Sequence, residues 1–351
     1  MAVDRFPDLL LHWYAANART IAWRQPPGSR RRPDAYPIWL AEIMAQQTRV
    51  AVAVRYWQRF VGRWPTVEAL ALADEREVLR EWAGLGYYAR ARNLMTTARI
   101  VAAAGGFPEN SAALRKLPGI GPYTAAAIAS IAFGERVAAV DGNAARIAAR
   151  LFAIDAPPPA LQRRAAALLA PFVPEQHPGD FNQALMDLGA TLCTPGTPDC
   201  APCPLAGCCA ARQSGETDRF PVAVPKRPRP RRQGLAWWVE HDNRVALTIR
   251  PERGLLGGMP GLPGTGWTTG EPDSFPFEAE WAIQPFAIRH IFTHFELTLR
   301  VAKTSSPKRH TTLAGQQLVW VERSELGRIG LPSLYRRVAE QTLAAEAGAA
   351  C

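Results

Sequence analysis

The stretch that most limits what this chain can become is "VPKRPRPRRQ", Val224 to Gln233. It sets three prolines among five basic side chains. Each proline fixes φ and lacks an N–H, and neighbouring like charges repel. A helix interior, a central strand and a core all reject such a segment. It reads as an extended linker, and 351 residues are enough to fold separately on either side of it.

The texture changes across that linker. Before it, Trp39, Leu40, Ile43 and Met44 open an apolar stripe at helical spacing that continues through Val50, Val54, Trp57 and Val61. Thr66 and Asp74 stand at N-cap positions, and Gly84, Gly105 and Gly134 fall just past helical runs. Asp180 opens "FNQALMDLGATL", a helix that delivers Cys193 at its end. After the linker, "LAWWVEH" and "RVALTIR" are strands separated by Asp242 and Asn243, a hairpin signal. "FELTLRVA" and "QLVWVER" add strands, and "LPSLYRRVAEQTLAAEA" closes the chain as a helix. The expected division is a helical domain over 1–216, a basic Pro-rich linker over 217–233 and an α+β domain over 234–351.

A formal net charge of +10 points to a polyanionic partner, nucleic acid first and an anionic membrane surface second. Asp4, Asp8 and His12 interrupt the apolar N-terminus, which does not resemble a signal peptide, and no stretch is apolar for long enough to span a bilayer. A cytosolic protein is expected. Five of the six cysteines crowd between Cys193 and Cys209, a pattern that in a reducing compartment reads as a metal site. Cys193, Cys200, Cys203 and Cys209 give C-x6-C-x2-C-x5-C, which could close around zinc or a [4Fe–4S] cluster. Cys208 could replace Cys209 as fourth ligand, and the remote Cys351 is expected to be free.

"LPGIGPYTAA", Leu117 to Ala126, lies between "SAALRKL" and "TAAAIASIAFG". Together these read as a helix-hairpin-helix over 111–133, although an ordinary interhelical turn has the same outline. Such a turn points backbone N–H groups at a phosphate, and Gly119 and Gly121 allow close approach. Asp141 in "VAAVDGNAARIAARL" precedes a helix starting near Ala144 and could simply cap it.

In combination, the hairpin, the aspartate after it and the four cysteines resemble the endonuclease III superfamily of DNA glycosylases, over Phe6 to Ala211. Members flip a base from the duplex and cut its glycosidic bond. The resemblance implies a multi-domain protein with an all-α helix-hairpin-helix core and a [4Fe–4S] loop over 193–209, ligated by Cys193, Cys200, Cys203 and Cys209. Bifunctional members carry a nucleophilic lysine where Tyr123 stands, and Lys116 is on the wrong side of the turn, which implies a monofunctional enzyme.

"PIWLAEIMAQQTRV" and "GLGYYARARN" narrow the likeness to the adenine DNA glycosylase (MutY) family, which removes adenine mispaired with 8-oxoguanine. By that resemblance Glu42, desolvated beside Trp39, Ile43 and Met44, donates a proton to the adenine. Asp141 shelters the oxocarbenium-like sugar, Asn143 positions water or Asp141, and Tyr123 hydrogen-bonds Glu42. Gln47 and Tyr88 match residues that wedge into the duplex, and Arg24 and Asp187 match adenine-pocket residues. "GLLGGMPGLPG" and "IRHIFTHFELTL" resemble the family's Nudix-like lesion-reading domain, with Phe292, Thr293 and His294 where Phe-Ser-His is usual. The Arg-Glu and Glu-Glu pairs of a Nudix box are missing, so no magnesium-dependent nucleotide hydrolysis is expected. The implied partner is double-stranded DNA carrying A:8-oxoguanine or A:G, its backbone followed by the linker and bound by a monomer in the bacterial cytoplasm, at the nucleoid. The rival expectation is an endonuclease III-like glycosylase/lyase on oxidised pyrimidines, against which Tyr123 speaks.

Overall fold

A computed structural model of the chain describes residues 3–224, 228–251, 254–270, 274–306 and 308–349. Pro225, Lys226 and Arg227 of the basic linker, and Cys351, lie outside the described residues. The chain forms two units: Met1–Ala73 with Asn93–Pro225, and Asp74–Arg92 with Lys226–Cys351.

The first unit is helical: α1 (Phe6–Asn17), α2 (Ala35–Ala45), α3 (Val50–Arg63) and α4 (Val67–Ala71) precede the break. α5 (Glu75–Trp82) belongs to the second unit, and α6 (Ala89–Ala103) runs across the division. Then follow α7 (Ser111–Leu114), α8 (Pro122–Ile128), α9 (Gly142–Leu151), α10 (Ala160–Leu169), α11 (Pro178–Thr191) and α12 (Ala210–Gln213). Thr66 and Asp74 cap as expected, accepting from the N–H groups of Ala69 and Glu77. Gly84, Gly105 and Gly134 all have positive φ. α11 begins earlier than expected, at Pro178, so Asp180 lies in its first turn and accepts instead from the Gly28 N–H at 2.8 Å.

Two helices differ from the stripe that the sequence suggests. α3 is amphipathic and fully buries only Ala53 and Phe60, whereas α2 is apolar on every side and buries all but Pro37 and Ala45. The main core packs α1, α9, α10 and α11 together through Phe6, Leu10, Ile147, Leu161, Phe181 and Leu185. Each such side chain contributes roughly 1.5–3 kcal/mol by leaving water.

The second unit carries one mixed sheet: β1 (Arg231–His241), β2 (Arg244–Ile249), β3 (Pro260–Gly261), β4 (Ala282–Ile291), β5 (Glu296–Ser305), β6 (Thr312–Leu313) and β7 (Gln316–Glu322). The order is β4-β5-β1-β2-β7-β6, with β3 on β2. β1 and β5 run parallel and the other pairs antiparallel. The predicted hairpin between β1 and β2 forms, with both Asp242 and Asn243 at positive φ, as a tight hairpin turn needs. Neighbouring Trp237 and Trp238 point to opposite faces and join separate cores. α13 (Ser333–Ala349) covers the Trp238 face through Leu334, Tyr335 and Val338. β4 is an edge strand whose register shifts between Ile283 and Ala287, where Pro285 has no N–H to give to the ladder.

Candidate active site

Glu42 is the sole charged residue of α2 and is 9 % exposed. Gln46, at the C-terminal end of the same helix, donates to the Thr124 hydroxyl at 3.2 Å and ties α2 to the start of α8. Tyr123 is the second residue of α8, and its hydroxyl donates to the Met186 Sδ at 3.7 Å. Burial pushes Glu42 up to about 7, while the neighbouring Tyr123 phenol and the Arg24 charge pull it down and the Asp141 charge raises it. Burial first, and the Glu42 charge next, hold the Tyr123 phenol protonated.

Asp141 is the N-cap of α9. Its Oδ1 accepts from the Ala144 N–H at 2.7 Å and its Oδ2 from Asn143 Nδ2 at 2.9 Å. Capping thus holds this carboxylate in place without removing its influence on Glu42 and Tyr123, both of which feel its charge. Asn143 is fixed from its other end: Arg146 Nη2 donates to Asn143 Oδ1 at 2.8 Å and to the Gly189 carbonyl at 2.7 Å. A Cβ on Gly189 would fall 2.5 Å from Asn143 Cβ, so only glycine lets α11 approach so closely.

Arg24 and Asp187 form a buried ion pair at 2.7 Å. Asp187 also accepts from the backbone N–H and the Nε of Arg19, at 2.9 and 2.6 Å. Sequence reasoning missed Arg19, whose only signal was its nearness to "AWR".

Gly119 has φ +75°, and a Cβ there would lie 2.8 Å from Asn93 Cβ. Gly121 has an ordinary φ of −83° and opens onto space. Only Ser111–Leu114 of the expected first hairpin helix is α-helical, while the second runs from α8 into a π-helical turn, Ala129–Phe133. Gln47 follows α2, exposed and with φ 55°.

The tyrosine expectation needs correction. Tyr88 is only 4 % exposed, and a side chain so buried presents no face to a duplex; Tyr87 is 53 % exposed and has a left-handed φ of 49°. Phe292 is likewise buried, packed on Trp267 and Phe295, whereas Thr293 and His294 are exposed between β4 and β5.

Cys193, Cys200, Cys203 and Cys209 line one cavity with Arg150 and Leu188. Cys208 is buried elsewhere, its thiol donating to the Leu205 carbonyl at 3.4 Å. Burial pushes Cys203 up to about 11. Arg150 Nη1 lies 3.3 Å from Cys193 Sγ, and Arg146 Nε donates to the Cys193 carbonyl at 2.7 Å. These two buried arginines, four residues apart on α9, join the cysteine loop to the helix that Asp141 caps. No group of three or more His, Cys, Asp or Glu among the described residues is placed to hold a metal ion. Four sulfur donors lining one cavity are a donor set that suits zinc or an iron–sulfur group.

Residues 40–171 match the model of the HhH-GPD superfamily of base excision DNA repair proteins, and residues 234–341 that of the NUDIX domain. Over 288 residues the chain is 41% identical to an adenine DNA glycosylase of Arabidopsis thaliana, an alignment taking in 71% of this chain and 46% of that one. The chain therefore spans under half the length of that relative. Over 232 residues it is 38% identical to the adenine DNA glycosylase of Mycobacterium tuberculosis (strain CDC 1551 / Oshkosh), taking in 65% of this chain and 72% of that one. Among solved structures, a thermostable thymine-DNA glycosylase superposes with TM-score 0.54 at 27% identity, over 61% of this chain and 97% of that one.

Proposed function

The chain belongs to the adenine DNA glycosylase family, and from that premise we propose that it is a monofunctional base-excision repair enzyme that hydrolyses the glycosidic bond of adenine opposite 8-oxoguanine or guanine. One observation carries this reading: a buried carboxyl, Glu42, pushed up to about 7 and neighboured by Tyr123, which stands where a lyase keeps its lysine.

Adenine leaves poorly as an anion. Glu42 gives its proton to the imidazole-side ring nitrogen, the C–N bond breaks, and its electron pair leaves with the now neutral base. The sugar is left oxocarbenium-like, and the Asp141 carboxylate shelters that charge. Water then adds to the sugar carbon and loses a proton, leaving an abasic site. Asn143, held by Arg146, keeps Asp141 oriented. Arg24, paired with Asp187, lines the base pocket. Tyr123 has no amine, so no Schiff base forms and the strand stays intact.

Backbone N–H groups around Gly119 and Gly121 take a phosphate, and exposed Gln47 and Tyr87 wedge into the duplex. Excision is assigned to the helical unit and reading of the opposite base to the sheet unit, through Thr293 and His294; the basic linker on the DNA backbone is shorter than the expected 217–233, since Phe220 packs in the helical core and Arg231–Gln233 open β1. Cys193, Cys200, Cys203 and Cys209 would hold a [4Fe–4S] cluster that supplies a structural staple. The protein acts as a monomer in the bacterial cytoplasm, at the nucleoid; no helix among the described residues is long and apolar enough to cross a membrane. Borohydride trapping tests the monofunctional assignment. Abasic product without a covalent adduct supports it, and an efficient protein–DNA adduct would overturn it in favour of a lyase.

A further inference from the structure

Apart from the cysteine cavity, the helical unit holds a larger one of about 400 Å³, walled by the segment from Trp23 to Pro33, the π-helical turn and the start of α11. Arg24 lines it, whereas Glu42, Tyr123 and Asp141 do not. Its basic wall is pinned at two points. The Gly28 N–H donates to Asp180 Oδ2 at 2.8 Å, and Arg32 Nη1 donates to the Phe133 carbonyl at 2.5 Å. Gly134, at φ +73°, lets Arg32 lie close, since a Cβ there would run into the guanidinium. Arg30 and Arg31 stand between those anchors, exposed, and neither guanidinium has an ion-pair or hydrogen-bond partner among the described residues. The acids of the wall are engaged already: Asp180 faces His177 at 3.7 Å, and Glu175 faces Arg136 at 3.9 Å.

The buried part of the wall has different chemistry. Gln183 is 6 % exposed and lines the cavity, and its amide has no hydrogen-bond partner among the described residues. A buried amide left without a partner is costly, and a ligand that offers it both an acceptor and a donor removes that cost. Half-buried Trp23 adds an aromatic wall, with Trp57 edge-on to it at 5.8 Å. An amide and an indole suit the edge and face of a nucleobase, and two uncommitted guanidinium groups suit phosphate oxygens. We propose that this cavity binds a free nucleoside diphosphate, its base against Trp23 and Gln183 and its phosphates on Arg30 and Arg31. The duplex belongs elsewhere, because about 15 Å of helix rise separates the cavity from the hairpin glycines along α8 and its π-helical turn, and Gly179 from Gly189 along α11.

Calorimetric titration of the full chain with ADP, GDP, CDP and UDP tests this. At least one should bind, one per chain, and about tenfold or more tightly than inorganic pyrophosphate or its own nucleoside. The exposed double variant Arg30→Ala/Arg31→Ala should weaken that nucleotide by about tenfold or more, the scale of lost charge-assisted hydrogen bonds. Gln183→Leu should weaken the nucleotide and leave pyrophosphate binding as it was. Excess duplex carrying an uncleavable adenine analogue should leave the bound nucleotide in place. Binding of none of the four, binding indifferent to the two arginines, pyrophosphate held as tightly as the nucleotide, or displacement by the duplex each overturns the site. None of these readouts depends on base excision, so this site and the glycosylase reading fail separately.

Discussion

The Tyr123 phenol, on the second residue of α8, neighbours the Glu42 carboxyl of α2. It favours the charged carboxylate and so opposes the effect of burial. As the proposed acid, Glu42 would act only while protonated, so single-turnover excision should fall as pH rises through about 7. In Tyr123→Phe that opposing phenol is gone and the carboxyl titrates higher. The basic limb of the pH–rate profile should then move up by roughly half to one pH unit. A limb that stays in place, or moves down, contradicts the assignment of Glu42 as the acid.

The same carboxyl costs stability. Its ordinary value is 4.5 and its folded value about 7, so its protonated form favours the fold below pH 4.5, and that contribution is lost as pH rises to about 7. Glu42→Gln cannot ionise. It should abolish excision yet become more stable than the unmodified protein across that window, by about 3 kcal/mol above it. Denaturant midpoints measured from pH 5 to pH 8 check this, and a gap that does not widen with pH counts against it.

Asp141→Asn keeps the shape of the N-cap but loses the charge. It should bind DNA normally and lose most base excision, by about a hundredfold or more, the scale of one lost electrostatic stabiliser. Single-turnover rates close to those of the unmodified protein would refute the role given to Asp141.

The two hairpin glycines should separate stability from binding. Gly119→Ala forces a side chain into φ +75° against Asn93, and should destabilise the fold by about 1–3 kcal/mol. Gly121→Ala meets nothing in the protein and should leave the melting temperature unchanged, while its methyl obstructs the approaching phosphate and weakens DNA binding. Thermal melts alongside binding isotherms distinguish the two.

Much of this arrangement was legible in the sequence because it rests on local rules. Caps at Thr66 and Asp74, the Asp242–Asn243 turn and the change of texture at the linker each depend on a few neighbouring residues. What was not legible is set by distant packing. Nothing in "GLGYYARARN" tells which tyrosine turns outward; left-handed Tyr87 and buried Tyr88 follow from the turn after α5. Phe292 reads as a loop residue until Trp267 and Phe295 pack on it. Arg146 and Arg150 look like a solvated helix face until the cysteine loop covers them.

The cysteine cavity separates two neighbouring thiols. Protein purified without chelators should be brown, with absorbance near ~410 nm, as iron–sulfur clusters show. Cys209→Ser should lose that band and Cys208→Ser should keep it, since Cys209 lines the cavity and Cys208 does not. The opposite pattern would exchange the ligands, and colourless zinc-loaded protein would correct the metal.

The most direct test of the central claim is a single-turnover assay on duplexes pairing adenine with 8-oxoguanine, guanine or thymine. Adenine should be released fastest opposite 8-oxoguanine, more slowly opposite guanine and not opposite thymine, leaving an unbroken abasic strand. Release of an oxidised pyrimidine instead of adenine, or none from any of the three, would contradict the account.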